Sequence, residues 1–154
     1  MMIYVKKLHP LAKWPNRSSE NAGGWDVFCV SIEQPEPDLI ICKTGIAMRP
    51  ADSNYKITLV PRSSLTKTGW IMQNSPGLGD PDYTGEYQFR FRALPIVRAY
   101  FGKRALKYPK SPFAPGDRIG QIYLEEIIPI EFEEVLDLPK TERGDGGFGS
   151  TGKQ

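Results

Sequence analysis

Histidine is nearly absent from this chain and cysteine is scarce, and the two shortages remove much of the usual chemistry of nucleophilic and metal-caging sites. His9, followed directly by Pro10, is the one histidine. A Ser-His or Cys-His hydrolase would have to be built on a residue whose setting reads as structural or solvated. Cys29 and Cys42 stand alone, with no CxxC pair and no Cys/His cluster. They suit neither a zinc site nor a disulfide framework, and are expected as reduced thiols packed like small apolar groups. Excess charge of either sign is missing too: 25% of residues are charged and the formal net charge is +2. Polymeric nucleic acid and anionic membranes are therefore not expected partners, and any cation that matters acts locally. No apolar run reaches the roughly 18 residues of a membrane span, and the start, Met-Met-Ile-Tyr-Val-Lys-Lys, lacks the apolar stretch of a signal peptide. A soluble protein of the cytoplasm is the expectation. Long helices are opposed by 14 prolines and 15 glycines, which break helical hydrogen bonding or weaken it.

What remains is strand and turn. The length of 154 residues suits one domain with a real core. Strand-like runs fall at residues 3–8, 25–31, 38–43, 46–49, 55–60, 69–72, 85–93, 97–100 and 121–128, punctuated by Gly, Pro, Asn and Asp. Many short strands of this kind predict an all-β protein, a sandwich or barrel. Residues 33–37 (Glu-Gln-Pro-Glu-Pro) read as a turn, because two prolines remove ladder donors. The only helix expected is a turn or two capped by Ser63 or Ser64. Residues 1–138 form the expected domain. Residues 139–154, rich in glycine with one large apolar side chain, cannot bury a core and read as a flexible arm. No internal repeat is visible. Residues 95–112 carry Arg98, Lys103, Arg104, Lys107 and Lys110 with no acid, and read as a solvated basic loop.

Several islands carry chemistry. Gly24-Trp25-Asp26 puts a carboxylate near a strand start, though an Asp closing a turn beside a core Trp reads equally well. Arg62, Ser63 and Ser64 follow a strand ending at Pro61, so a guanidinium, two hydroxyls and free N–H groups could face one anionic oxygen; a solvated helix cap is the alternative. From Asn74 to Glu86 the chain sets an amide, the run Gly77-Leu78-Gly79, Asp80 and Tyr83 ahead of an alternating strand through Gln88. Asp80 could accept a proton from water, and an ordinary Asx turn is the competing account. In Gly116 to Gln121, Asp117 and Arg118 are expected to pair locally, while Gln121 can donate its amide. The arm interleaves five glycines in Gly144 to Gly152 with Arg143, Phe148, Gly149, Ser150 and Thr151. That spacing offers free N–H groups and a cation for phosphates and a ring on which a base can stack.

In this order the islands resemble those of the trimeric dUTP pyrophosphatases, the dUTPases, over roughly Gly23 to Gly152. The resemblance implies a jelly-roll-like β-sandwich or distorted barrel, a homotrimer with shared active sites, and Mg2+-dependent hydrolysis of dUTP to dUMP and pyrophosphate. It implies a catalytic Asp80 orienting the attacking water, Arg62 and Ser64 on the phosphates, and Ser63 polarising the breaking bond. Asp26 would help hold the hydrated magnesium. Asn74, Gly77, Leu78 and Gly79 would line the nucleoside site, with Tyr83 under the deoxyribose and main-chain groups through Gln88 on the uracil edge. Gln121 and Arg143 would contact phosphates, Phe148 would cover the uracil, and Gly149, Ser150 and Thr151 would complete the cradle as the arm closes. The chain departs from the family's pattern at Gly23, Trp25, Pro81 and Thr84, and at Gly79, where a branched apolar residue is common. Two other readings use the same residues: a dCTP deaminase-like enzyme, and a nucleotide-gated regulatory binding module of the same fold.

Overall fold

Strict alternation over Glu86–Ala93 turns Tyr87, Phe89, Phe91 and Ala93 inward and leaves Arg90 in solvent, as a period of two requires of a strand with one buried face. The computed structural model describes residues 1–100 and 103–147, and within 97–106 the backbone pairing only. Among the described residues the strands are β1 Ile3–Lys7, β2 Trp25–Phe28, β3 Ser31–Glu36, β4 Leu39–Pro50, β5 Tyr55–Pro61, β6 Trp70–Met72, β7 Gly77–Gly79, β8 Glu86–Ala93, β9 Ile96–Tyr100, β10 Lys103–Lys107 and β11 Arg118–Glu126. One sheet runs β1-β4-β8-β6, with β3 also on β4; a second runs β2-β11-β5-β7; β9 and β10 pair only with each other. Every named pairing is antiparallel. The all-β sandwich is thus observed.

Between the two large sheets lies one core, in which Phe89, Phe91, Ile40, Ile46, Ile57, Ile119 and Val27 are fully enclosed. Cys29 and Cys42 are part of it as free thiols. Its hydrogen bond to the neighbouring Cys29 sulfur, together with burial, pushes the Cys42 thiol well above the ordinary range.

The elements differ from expectation in instructive places. The runs at 38–43 and 46–49 are one strand, β4, whose register against β8 shifts between Lys43 and Ala47. Gly45, at φ +66, makes that irregularity, so the apparent turn is a bulge. Residues 25–31 divide into β2 and β3, which pair in different sheets. Pro35 lies inside β3, and the prolines do not end pairing where expected: β3 bonds only to β4, so a missing N–H can face the open edge. Half of the basic segment 95–112 is the hairpin β9-β10 rather than loop. Among the described residues the one helix is a 3-10 turn, Ser63–Lys67, whose N-cap is Arg62 and which has no side-chain cap bond. Neither serine caps it.

His9 has a structural part here. Its Nδ1 accepts from the Leu11 N–H at 3.1 Å, and it packs over Gly45, where an added Cβ would lie 2.8 Å from the His9 Cβ. Gly45→Ala should lower unfolding stability by roughly 2 kcal/mol in a urea titration, combining left-handed strain with that clash. Gly23→Ala, with open space around it, should be close to neutral.

Candidate functional site

Asp26 is 1% exposed on β2, opposite Gln121 of β11 in the ladder. Its Oδ1 accepts from Arg62 Nε at 3.1 Å and from Gln121 Nε2 at 3.2 Å, and its Oδ2 accepts from Arg118 Nη1 at 3.1 Å. A buried carboxylate needs such compensation. Arg62 comes from the junction of β5 and the 3-10 turn, and Arg118 from the first position of β11. The local Asp117–Arg118 pair expected from their adjacency is not formed: Arg118 turns to Asp26, while Asp117 Oδ2 accepts from the Ala114 N–H at 2.7 Å. Arg118 was missed as a site residue, since no local pattern marks a partner 92 positions away.

A second group gathers where the Asn74 island crosses between the sheets. Beyond β6 the ladder to β8 continues through the Gln73 N–H, which donates to the Arg90 carbonyl at 2.7 Å. Asn74 then takes over with its side chain: Nδ2 donates to the Gln88 carbonyl at 3.0 Å, and Oδ1 accepts from the Arg90 N–H at 2.9 Å. The chain departs to form β7 on β5 of the other sheet before returning to β8. The result is a long β6-β8 hairpin whose loop is sewn to the opposite sheet. A cavity of about 370 Å³ opens beside it, lined by Asn74, Gly77, Leu78, Tyr83, Gln88 and neighbours. Tyr83 is held over it by its N–H on the Asp80 carbonyl and its hydroxyl on the Glu86 carbonyl, both at 3.0 Å.

Behind the cavity Tyr87 is buried at 3% exposure, and burial pushes its phenol up to about 12, with Tyr83 and Asp80 adding to the shift. Its hydroxyl has no hydrogen-bond partner. Tyr87 was also missed; the small residue at position 79 was the available signal, because a Cβ there would overlap the Tyr87 hydroxyl.

Other candidates stand apart within one chain. Asp80 is exposed and lines a different hollow, with Arg49, Ser53, Pro81 and Asp82. Arg62 and Ser63 share a concavity with Ser75, whereas Ser64 faces one with Arg62 and Arg118. Arg143 Nε donates to the Gly146 carbonyl at 2.8 Å in an exposed turn. Phe148, Gly149, Ser150 and Thr151 lie outside the described residues.

For a metal ion the donors are informative. Among the described residues no group of three or more His, Cys, Asp or Glu could hold one, and both Asp26 oxygens already accept from the protein. That set fits an ion arriving on a polyphosphate and met through water, as Mg2+ commonly is, rather than an ion in a protein cage. Also among the described residues, no helix is long and apolar enough to cross a membrane.

Comparison with known proteins bears on these features. The dUTPase family model matches residues 11–152. The deoxyuridine 5'-triphosphate nucleotidohydrolase of Wolinella succinogenes is 36% identical over 155 residues, covering 99% of this chain and 95% of that protein. The enzyme of the same name from Acinetobacter baumannii is 36% identical over 162 residues, covering 100% of both. The dUTPase of Staphylococcus bacteriophage 80alpha, solved with dUPNHPP, superimposes with a TM-score of 0.78 at 24% identity, covering 99% of each chain. At that identity the last likeness speaks to the fold.

The Asp26 cluster should be measurable in stability. Asp26→Asn keeps one acceptor oxygen but leaves two guanidinium groups facing an amide, so urea unfolding should show a loss of roughly 2 kcal/mol. Gly23→Ala, nearby and uncrowded, serves as the reference.

Proposed function

The chain belongs to the dUTPase family, and from that premise we propose that it hydrolyses dUTP to dUMP and pyrophosphate, taking the nucleotide as its Mg2+ complex. The observation that carries this reading is the 370 Å³ cavity along the β8 edge. It has the size of a small-molecule site. Its polar lining includes the Asn74 amide, held at both ends by the Gln88 and Arg90 main chain. A fixed edge of this kind can read a planar base by hydrogen bonds, and Leu78 and Tyr83 would stand where an added methyl or a 2′-hydroxyl would have to fit. Gly77 lets the main chain approach closely.

The phosphates would lie toward Arg62. Its Nε is bound to Asp26, which fixes the plane of the guanidinium and leaves the terminal nitrogens for phosphate oxygens. Ser63 would hydrogen-bond at the bond that breaks, with Ser64 and Gln121 on neighbouring oxygens. Asp26 would reach the magnesium only through water. The ion supplies charge neutralisation on the polyphosphate as pyrophosphate leaves. Asp80 orients a water and takes its proton as the water oxygen bonds to the α-phosphorus, while the bond to the bridging oxygen breaks in line.

One chain does not bring Asp80, the Arg62 serines and the cavity together, which supports a site completed by other copies. Surface chemistry supports the same reading. Phe132, at 89% exposure, and Leu138, at 83%, stand in an exposed run with Ile128, Ile130 and Leu136 that finds no cover among the described residues. An apolar groove of about 420 Å³ lies open near Val5, Trp14, Trp25 and Leu124. Exposed apolar surface on this scale marks an assembly face, and a homotrimer is the assembly proposed. Residues 139–154 would then act as the closing arm, with Arg143, Phe148, Gly149, Ser150 and Thr151 on the substrate.

Purified protein given dUTP, dTTP, dCTP and UTP with Mg2+ should release pyrophosphate from dUTP far faster than from the others. Ammonia from dCTP would replace this reading with deamination. Asp80→Asn should slow dUTP turnover by roughly 10²- to 10⁴-fold with nucleotide affinity kept, and turnover at the parent rate would remove Asp80 from the mechanism. Ending the chain after Lys140 should abolish turnover while sedimentation still reports the parent trimer; full activity would exclude the arm.

A further inference from the structure

Tyr87 sits on the inward face of β8 with Phe89 and Phe91, yet it does more than fill the core. Its ring crosses from one sheet to the other and its hydroxyl lies against Gly79 on β7, in the space where any other residue's Cβ would be. The Gly79 backbone is not left-handed, so it is the Tyr87 hydroxyl and ring edge, not the local backbone conformation, that require a glycine at this position. From the other side the edge of the ring meets Tyr83, with centroids 5.5 Å apart and planes at 76°, a favourable edge-to-face geometry. Behind it, Thr44 Oγ1 donates to the Tyr87 carbonyl at 2.6 Å and fixes the strand. Among the described residues the hydroxyl has no hydrogen-bond partner. Burying it unpaired costs stability, so hydrogen bonding does not account for this side chain.

We propose that Tyr87 is a positioning residue for the nucleotide pocket: wedged between β8 and Gly79, it holds Tyr83 and the Asp80–Tyr83 turn in the geometry that separates deoxyribose from ribose. Asp80 directly follows the glycine that the ring presses on. Tyr83 carries the platform and is tied to the Asp80 carbonyl. A shift of the ring therefore moves both. The departure at position 79 and the large residue at 87 are one compensating pair, with bulk supplied across the interface from β8 instead of from β7. This inference rests on the function proposed above, which supplies the sugar that the platform selects.

The test compares Tyr87→Leu, Gly79→Ala, their double variant and Tyr87→Phe. Two readouts are taken: the ratio of kcat/KM for dUTP over UTP, and hydrogen exchange of the segment 80–86. Tyr87→Leu removes the edge contact, and Gly79→Ala displaces the ring. Each should lower the ratio by about tenfold or more, since small misplacements of positioning groups cost rate steeply, and each should speed exchange of that segment. Tyr87→Phe keeps the ring and should hold both readouts near the parent values. The double variant should be no worse than Tyr87→Leu alone, because the object of the clash has gone. A folded Tyr87→Leu protein with the parent ratio and parent exchange overturns the proposal, as does a Tyr87→Phe protein that fails like Tyr87→Leu. A parent protein inactive on dUTP overturns the function instead; the exchange pattern still decides whether Tyr87 holds the turn.

Discussion

A carboxylate enclosed between strands, with a guanidinium on each of its oxygens, is the constraint around which the site is arranged. Asp26 is out of reach of solvent, and taking such a group out of water is costly unless the protein supplies its partners. Those partners come from two separated parts of the chain: Arg62 just past the end of β5, and Arg118 and Gln121 at the first and fourth positions of β11. The ladder pairs β11 with both β2 and β5, so the sheet that brings the carboxylate also brings its cations. The consequence for function is directional. Arg62 spends its Nε on Asp26 and is thereby held by its inner edge, which gives a flexible side chain a defined outward face. If Arg62 binds phosphate as proposed, it gains from having that orientation set before the ligand arrives.

The second constraint is the crossing of residues 73–85 from one sheet to the other. A hairpin confined to one sheet would place Asp80 and Tyr83 on a free tip. Here β7 is fastened to β5, Asn74 is fastened to β8, and Tyr87 spans the gap between. The loop proposed to carry the chemistry is therefore anchored at three points along its length. Loops tied down in this way can hold a base and a sugar platform while their main-chain groups stay exposed to ligand.

Legibility in the sequence followed the range of the interactions. The alternation at 86–93 gave β8 its inward face, and the spacing of Gly and Pro gave an all-β class, because both are local signals. The bulge at Gly45 and the proline in β3 were misread for one reason: punctuation was taken as termination, whereas a long strand absorbs a glycine as a bulge and an edge strand tolerates a missing donor. Asp26, Arg62 and Gln121 were picked out separately by residue type and, through the family resemblance, as one set. Their joining, and the recruitment of Arg118, depended on register between strands that no local pattern specifies. Tyr87 was the least legible of all, since its meaning lies in the absence of a side chain on another sheet.

On the proposed reading the arm and the body answer different physical demands, which would account for candidate residues that do not meet in one chain. A rigid sandwich can hold Asn74, Tyr83 and Arg62 in place but would have to open for a nucleotide to enter if it also surrounded the phosphates. Glycines past Arg143 have little to bury and much backbone to offer, so on the proposed reading an anion would collect their N–H groups. Dividing the site in this way lets the ligand supply the free energy that orders its own cover. On the proposed reading, closure then follows occupancy of the pocket, and water is excluded only when there is something to hydrolyse.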